Sequence, residues 1–373
     1  MQNIIPILIF ILILGIVIFI HELGHFLAAR RAGIFVEEFA LGMGPKLLSK
    51  HGRKKNRDGE TTMYSLRAFP VGGFCRMRGQ DDDIPDDPEA LNNKSIPQRA
   101  LVMAGGSLMN FLLAFVLFFV LVMVRGIPMP APEILVVGVD ENLPGYAAGL
   151  RPDDVITHIN NIAVQSQTDL VAIIAEADGG EISIRVDRSG TEYEIFVVPA
   201  VHEGRSVIGF THLARPQFAR ARIHEGIISA GEMIGMQIAG PFRLLSQVIA
   251  GEQLAEGEGF VGPIGIGGMI TEAYQVTMDT ERGGGIGNMV FAMAFFTAAI
   301  SSALGVMNLL PIPALDGARL VFLGLEAIRR KPVPPEKEAL VHMVGLVSLL
   351  LLAVFIAYRD IVRLIPGLND YTG

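Results

Sequence analysis

The sequence predicts a polytopic α-helical membrane protein of about four transmembrane helices, with a membrane-associated β-hairpin and one separate α+β domain. Three observations carry that prediction. Apolar residues make up 51% of the 373-residue chain and charged residues only 18%, a balance typical of integral membrane proteins. Four stretches, roughly Ile4–Ala29, Leu101–Val124, Met289–Leu310 and Leu340–Tyr358, are long and apolar enough to cross a bilayer. Between the second and third, the sequence changes to short alternating runs bounded by Gly, Pro and Asp, the pattern of strands and turns.

The first stretch lacks a basic leader and a small-residue cleavage site, so it is expected to be a retained span. It carries His21-Glu22-Leu23-Gly24-His25. Histidines four residues apart lie about 6 Å apart along a helix, close to one face. Both can therefore offer nitrogens to one metal ion, with Glu22 placed to take a proton from water. Two imidazoles and a carboxylate in hydrocarbon are costly unless they face partners, which marks this segment as functional. The bland alternative is a pair of polar residues at a helix end.

Two expected strands follow, Thr61–Leu66 and Phe74–Met77, joined through Arg67–Gly73 as a hairpin. Gly72, Gly73 and Phe74 are candidate substrate-binding positions on its edge, because an exposed edge can accept a substrate segment as an added strand. A purely structural hairpin that shields the site is the other reading. Cys75 is the single cysteine, which excludes an internal disulfide and a cysteine-based zinc site; it is expected to be a small packing residue. The net charge of −8 gives no reason to expect a nucleic-acid partner.

Charge sets the expected orientation. Arg30, Arg31, Lys46, Lys50, Arg53, Lys54, Lys55 and Arg57 follow the first span, and Arg319, Arg329, Arg330, Lys331 and Lys337 separate the third from the fourth. By the positive-inside rule both connections are cytoplasmic, and both termini and residues 126–287 lie outside. His21 and His25 then sit roughly 7–13 Å inside the cytoplasmic end of the first span. The third span runs the same way and ends in Asn308-Leu309-Leu310-Pro311-Ile312-Pro313-Ala314-Leu315-Asp316-Gly317. Asp316 thus reaches the same depth, and a catalytic zinc commonly takes three protein ligands. A polar helix stop at the interface is the alternative. The prolines break the helix there, and broken backbone in a membrane must be buried in protein or line a cavity. Asn308 beside the break either binds substrate backbone or satisfies the broken helix.

The pair H-E-L-G-H and N-L-L-P-I-P-A-L-D-G resembles the site-2 protease family of intramembrane zinc metalloproteases, in particular the bacterial regulators of sigma-E-type proteolysis. Gly42-Met43-Gly44-Pro45 resembles the family's G-F-G-P turn, Tyr64–Met77 its membrane-dipping β-hairpin, and Gly262-Pro263-Ile264-Gly265-Ile266 its G-P-I-G-I element. Two departures stand out. Ser107 occupies the place of a proline in A-G-P-x-x-x-N, which here ends at Asn110, and Asp316-Gly317-Ala318-Arg319 replaces D-G-G-H. The resemblance implies Zn2+ held by His21, His25 and Asp316, with Glu22 as general base. It further implies cleavage of pre-trimmed single-span proteins, such as anti-sigma factors or signal-peptide remnants, in the bacterial cytoplasmic (inner) membrane. Partners would be a transmembrane protein substrate and the lipid bilayer.

Pro144-Gly145-Tyr146-Ala147-Ala148-Gly149-Leu150 followed by Asp153-Asp154-Val155-Ile156 resembles the S-P-A-x-x-A-G-L-x-x-G-D-x-I signature of bacterial PDZ domains, with Asp153 in place of a glycine. One extracytoplasmic PDZ domain is therefore expected. Ile208-Gly209-Phe210 would be its loop for a peptide C-terminus; a size filter is the alternative. The expected organisation is a first membrane half at 1–131, the PDZ domain at 132–214, amphipathic connecting helices at 215–260, and a second membrane half at 261–373. Two other functions compete. A PDZ membrane scaffold with a non-catalytic metal site leaves Glu22 unexplained. A metal transporter is expected to show repeated halves, and none is found.

Overall fold

The structure, a computed structural model, describes residues 4–80, 84–128, 133–164, 166–176, 180–202, 205–215, 218–250, 262–278 and 285–364. The domain boundaries expected at 131/132 and 260/261 lie outside the described residues, as do residues 251–260. The chain divides into two compact units, Met1–Leu121 with Ile227–Gly373, and Val122–Gly226.

The first unit contains α1 (Ile4–Arg31), β1 (Val36–Lys55), β2 (Thr61–Met77) and most of α2 (Ile96–Arg125). Four helices among the described residues are long and apolar enough to cross a membrane: α1, α2, and two that follow the second unit, spanning Ile286–Leu309 and Glu336–Tyr358. Each matches one of the apolar runs seen in the sequence, the third ending one residue early, at Leu309. Small residues let α1 and α2 meet closely, as is common between helices in lipid. A Cβ on Gly24 would lie 2.1 Å from the Gly105 carbonyl oxygen, so glycine is required at that crossing. Outward-facing apolar residues such as Leu8, Leu12, Leu112 and Val120 are exposed, as a lipid-facing surface would be.

The β region corrects the expected hairpin. Thr61–Leu66 and Phe74–Met77 do not pair with each other; Val36–Leu41 lies between them, running opposite to Phe74–Met77 (Leu41 beside Gly73, Phe39 beside Cys75) and in the same direction as Thr61–Leu66 (Phe39 beside Tyr64, Leu41 beside Leu66). The reason is visible in β1, where Val36, Phe39 and Ala40 are buried and give this segment an inner face to cover. Glu38 is also buried there, at 2% exposure. Its carboxylate accepts hydrogen bonds from Ser65 Oγ at 2.6 Å and Arg67 Nη2 at 2.7 Å. Burial alone would raise the Glu38 carboxyl, but Ser65 and Arg67 outweigh it and hold it below the ordinary carboxylate range.

The second unit contains β3 (Ile127–Pro128), β4 (Glu133–Val139), α3 (Pro144–Ala147), β5 (Val155–Ile159), β6 (Ile162–Ala163), α4 (Gln167–Glu176), β7 (Ile182–Arg188) and β8 (Thr191–Val197). It closes with β9 (Ala200–His202), β10 (Arg205–Val207), β11 (Phe210–Arg215) and β12 (Phe218–Ala219). The main sheet runs β11-β4-β5-β7-β8, with β6 beside β5. Alternation buries Ile134, Val136, Ile156, Ile182, Ile184 and Val186 against Leu170 and Ile174 of α4; each such aliphatic burial stabilises by about 1.5–3 kcal/mol. Asp153 adopts φ +70°, the left-handed geometry that the replaced glycine would supply, and its N–H still bonds to the Val136 carbonyl at 2.9 Å.

Returning to the first unit, the connecting stretch carries one helix after β12 among its described residues, α5 (Ile223–Ala250), with Pro241 inside it. Then come α6 (Pro263–Met278), α7 (Ile286–Leu309), α8 (Asp316–Arg329) and α9 (Pro335–Leu364). Helix α1 packs on α6 and α7 through Ile13, Val17, Ile270 and Met293. Helices α2, α5 and α7 share Ala114, Phe118, Ala230 and Ala298. Arg99 at the start of α2 holds Glu326 of α8 in a two-pronged ion pair at 2.5 and 3.0 Å.

Candidate metal centre

The candidate site begins with helix spacing. His21 and His25 are one turn apart on α1 and buried, and their Nε2 atoms are 3.2 Å apart. Asp316 is the first residue of α8, where the helix N-terminus favours a carboxylate. Its Oδ2 lies 3.2 Å from His21 Nε2 and 3.1 Å from His25 Nε2. Three donor atoms from residues nearly 300 positions apart in sequence thus form a nearly equilateral triangle.

The surroundings make those three atoms lone-pair donors. His25 Nδ1–H donates to the Val102 carbonyl at 2.8 Å, which leaves Nε2 of the neutral ring unprotonated. Asn110, fully buried on α2, lies with its side-chain amide 3.3 Å from His21 Nδ1. Its Oδ1 has no hydrogen-bond partner. Turning the Asn110 amide over satisfies both groups, because Oδ1 then accepts Nδ1–H of His21. Asp316 Oδ2 is itself buried without a hydrogen-bond partner. Lone pairs converging without a proton between them call for a cation. Tetrahedral zinc with bonds of about 2.0–2.1 Å separates its ligands by about 3.3 Å, close to the edges of this triangle. The residues present therefore fit zinc, and they fit the pattern in which a histidine ligand is oriented through its other nitrogen.

Space is reserved for the site as well. A Cβ on Gly106 of α2 would lie 2.5 Å from both His21 Cε1 and His25 Nε2. A cavity of about 500 Å3 opens beside the triangle, and His21, Glu22, His25, Gly73, Phe74, Asn308 and Asp316 are among its walls. Glu22 lies against Gly73, where an added Cβ would be 3.1 Å from Glu22 Cγ, and near the Cys75 backbone. A base, three metal donors and a strand edge therefore share one cavity. Phe74–Met77 is paired only with β1 among the described residues, so its other edge is the one beside α1.

Of the residues named from sequence, His21, Glu22, His25, Asp316, Asn308, Gly73 and Phe74 come together. Gly72 does not line the cavity; it turns the chain at φ +88° against Met43. The Asn308 amide already donates to the Leu304 carbonyl of its own helix at 3.0 Å. Cys75 is buried in the cavity wall. Sequence reasoning attached no role to Gly106 or Asn110. The A-G-G-S-L-M-N stretch was the available signal, since both residues belong to it.

The sequence model of peptidase family M50 matches residues 9–352. The regulator of sigma-W protease RasP of Bacillus subtilis is 30% identical, over 95% of this chain and 98% of that protein. The zinc metalloprotease RasP of Shouchella clausii is 29% identical over the same shares of the two chains. Among solved structures, the PDZ domain of an SdrC-like protein from Listeria monocytogenes is 21% identical, covering 23% of this chain and 94% of its own, with a TM-score of 0.22.

Proposed function

Since this chain belongs to peptidase family M50, we propose that His21, His25 and Asp316 hold its zinc ion and that Glu22 is its general base. The protein is a zinc metalloendopeptidase of the site-2 protease type, a multi-pass membrane protein acting in intramembrane proteolysis. The observation that carries the residue assignment is the triangle of His21 Nε2, His25 Nε2 and Asp316 Oδ2 with Glu22 on the same cavity wall.

When bound, zinc supplies Lewis acidity, polarising the scissile carbonyl and making water a stronger acid. Glu22 takes a proton from the attacking water onto a carboxylate oxygen and delivers it to the leaving amine. Val102 and Asn110 keep the two imidazoles in the tautomer that binds metal. The free edge of Phe74–Met77 receives the substrate as an extended strand, with Gly73 keeping the approach to Glu22 open. A transmembrane helix hides its peptide bonds, so strand addition stabilises the unwound form that hydrolysis requires.

The substrate in this reading is a single-span protein already trimmed on its outer side, including a membrane-bound regulator of a sigma factor. In this reading β1, β2 and α8 lie on the cytoplasmic side and residues 126–287 outside, in the bacterial cytoplasmic membrane; the basic connections support that orientation. The second unit is a PDZ domain, supported by its G-L-x-x-D-D-x-I turn and five-stranded sheet path. It acts as a peptide C-terminus site at Ile208–Phe210 or as a size filter. Purified protein in liposomes with a single-span test substrate checks the assignment. About one zinc per chain and cleavage within the span are expected; in Glu22→Gln zinc stays and cleavage goes. Robust cleavage by that variant would sink the base assignment, and full zinc retention by Asp316→Asn would remove Asp316 from the ligand set.

A further inference from the structure

We propose that His342 and Gly345, three residues apart on one face of α9, position the Asp316 carboxylate by gripping the turn that carries it. The inference rests on the reading of Asp316 as the third zinc ligand.

That turn is irregular. Helix α7 ends at Leu309, and the backbone passes through Pro311 and Pro313 before α8 begins at Asp316. Ala314 within it has φ +78°, a left-handed conformation that a β-carbon disfavours and that its surroundings must enforce. Two contacts from α9 fall there. The Ala314 N–H donates to His342 Nδ1 at 2.9 Å, which fixes the imidazole as the tautomer protonated on Nε2. Alongside, Gly345 lets the helix meet the turn backbone: a Cβ at Gly345 would lie 2.2 Å from Pro313 Cβ and 2.7 Å from its carbonyl carbon.

These contacts stand out because α9 is otherwise sparsely held. Little of its apolar length is buried, and Leu340, Met343, Val344, Leu346 and Leu350 are exposed. Gly345 is the buried exception near the turn. His342 Nε2 has no hydrogen-bond partner, with Glu338 Oε1 at 3.7 Å, so the Ala314 bond is the one short polar tie shown for the ring. His342 lines the cavity with the ligands but acts through the turn. It is a positioning residue that acts through the backbone; partners bonded directly to a ligand change metal affinity by about 10–100-fold, and a tie to the ligand's own turn is expected at the lower end of that range.

The test uses the purified full-length protein, with two readouts: zinc loss to a competing chelator, and the visible absorption of the cobalt-substituted protein, which reports ligand geometry. His342→Leu is expected to weaken zinc retention about tenfold or more and to shift the cobalt bands. Gly345→Ala should do the same with the imidazole still present. His342→Asn places an oxygen where Nδ1 was, keeps the bond from Ala314, and should restore both readouts. His342→Gln reaches the Nε2 position instead and should not. Wild-type retention and spectrum in both His342→Leu and Gly345→Ala would overturn the proposal, as would His342→Asn behaving like His342→Leu. Asp316→Asn separates the two failures. If it loses zinc while the α9 variants do not, this inference alone falls; if it too keeps zinc and spectrum, the ligand assignment falls and this inference with it.

Discussion

His21 and His25 stand on an uninterrupted helix of 28 residues, whereas Asp316 stands just past a break, between the end of α7 and the start of α8. The first pair is set by local geometry. Any regular helix puts residues i and i+4 on one face, and neighbours on α2 only have to orient the rings. The third donor has no such local guarantee. Its place depends on where α7 stops, on Arg99 of α2 gripping Glu326 of α8, and on the two contacts from α9. One half of the site is inherited from a helix, and the other is assembled from distant parts of the chain. A perturbation of packing should therefore reach the Asp316 half first, unless it strikes the helix half directly.

The variant with the largest expected effect leaves both halves intact. Glu22→Gln should lower cleavage by about 10²–10⁴-fold at unchanged zinc content, measured with a single-span substrate and metal analysis on the same sample. Loss of zinc in that variant would show that the base also shapes the helix half. Next in size is Gly106→Ala, which puts a methyl 2.5 Å from His25 Nε2. An affinity loss of about 100-fold is expected in a chelator competition, the upper end for disturbed ligand support; near-normal affinity would mean the helix half has slack and would break the contrast. Asn110→Leu removes the orienting partner of His21 without adding bulk at the metal, so about tenfold weaker zinc binding is expected. Equal losses in Asn110→Leu and Gly106→Ala would mean ring orientation outweighs space.

The smallest effect is expected at Cys75, on the wall facing both halves. Burial, and after it the Glu22 carboxylate, push its thiol up and keep it protonated, so it is a poor nucleophile. Cys75→Ala should leave cleavage unchanged and cost about 1 kcal/mol of stability or less. Maleimide labelling should require unfolding; rapid labelling of the native protein would contradict the buried placement.

Much of this was legible in the sequence, for reasons that differ by residue. The four apolar runs stood out because a bilayer demands continuous apolar length, and H-E-L-G-H because one helix turn brings its donors together. Asp316 was reachable by matching depths across two spans, since position along a span converts directly to distance. Strand pairing was not reachable. Val36–Leu41 ends at the Gly42–Pro45 turn, but nothing in its sequence tells which strands it would lie between, so Thr61–Leu66 and Phe74–Met77 were expected to pair with each other rather than across a shared neighbour. His342 gave no signal at all: a lone histidine in an apolar run shows its meaning only once Ala314 is beside it. Gly106 and Asn110 lay in a stretch already singled out, but which atoms they approach is a three-dimensional fact.

The buried Glu38 carries a last consequence, for how the protein reaches its working state. Strand side chains alternate faces, so a slip of one residue between Val36–Leu41 and its neighbours would turn every side chain over. It would also strand the Glu38 carboxylate away from Ser65 and Arg67, and an orphaned buried charge costs about 3–5 kcal/mol. The ion pair thus indexes the sheet like a notch on a ratchet. In the proposed reading the neighbouring Phe74–Met77 keeps an open edge for a substrate segment, and the notch keeps that openness from letting the strands mis-thread during membrane insertion.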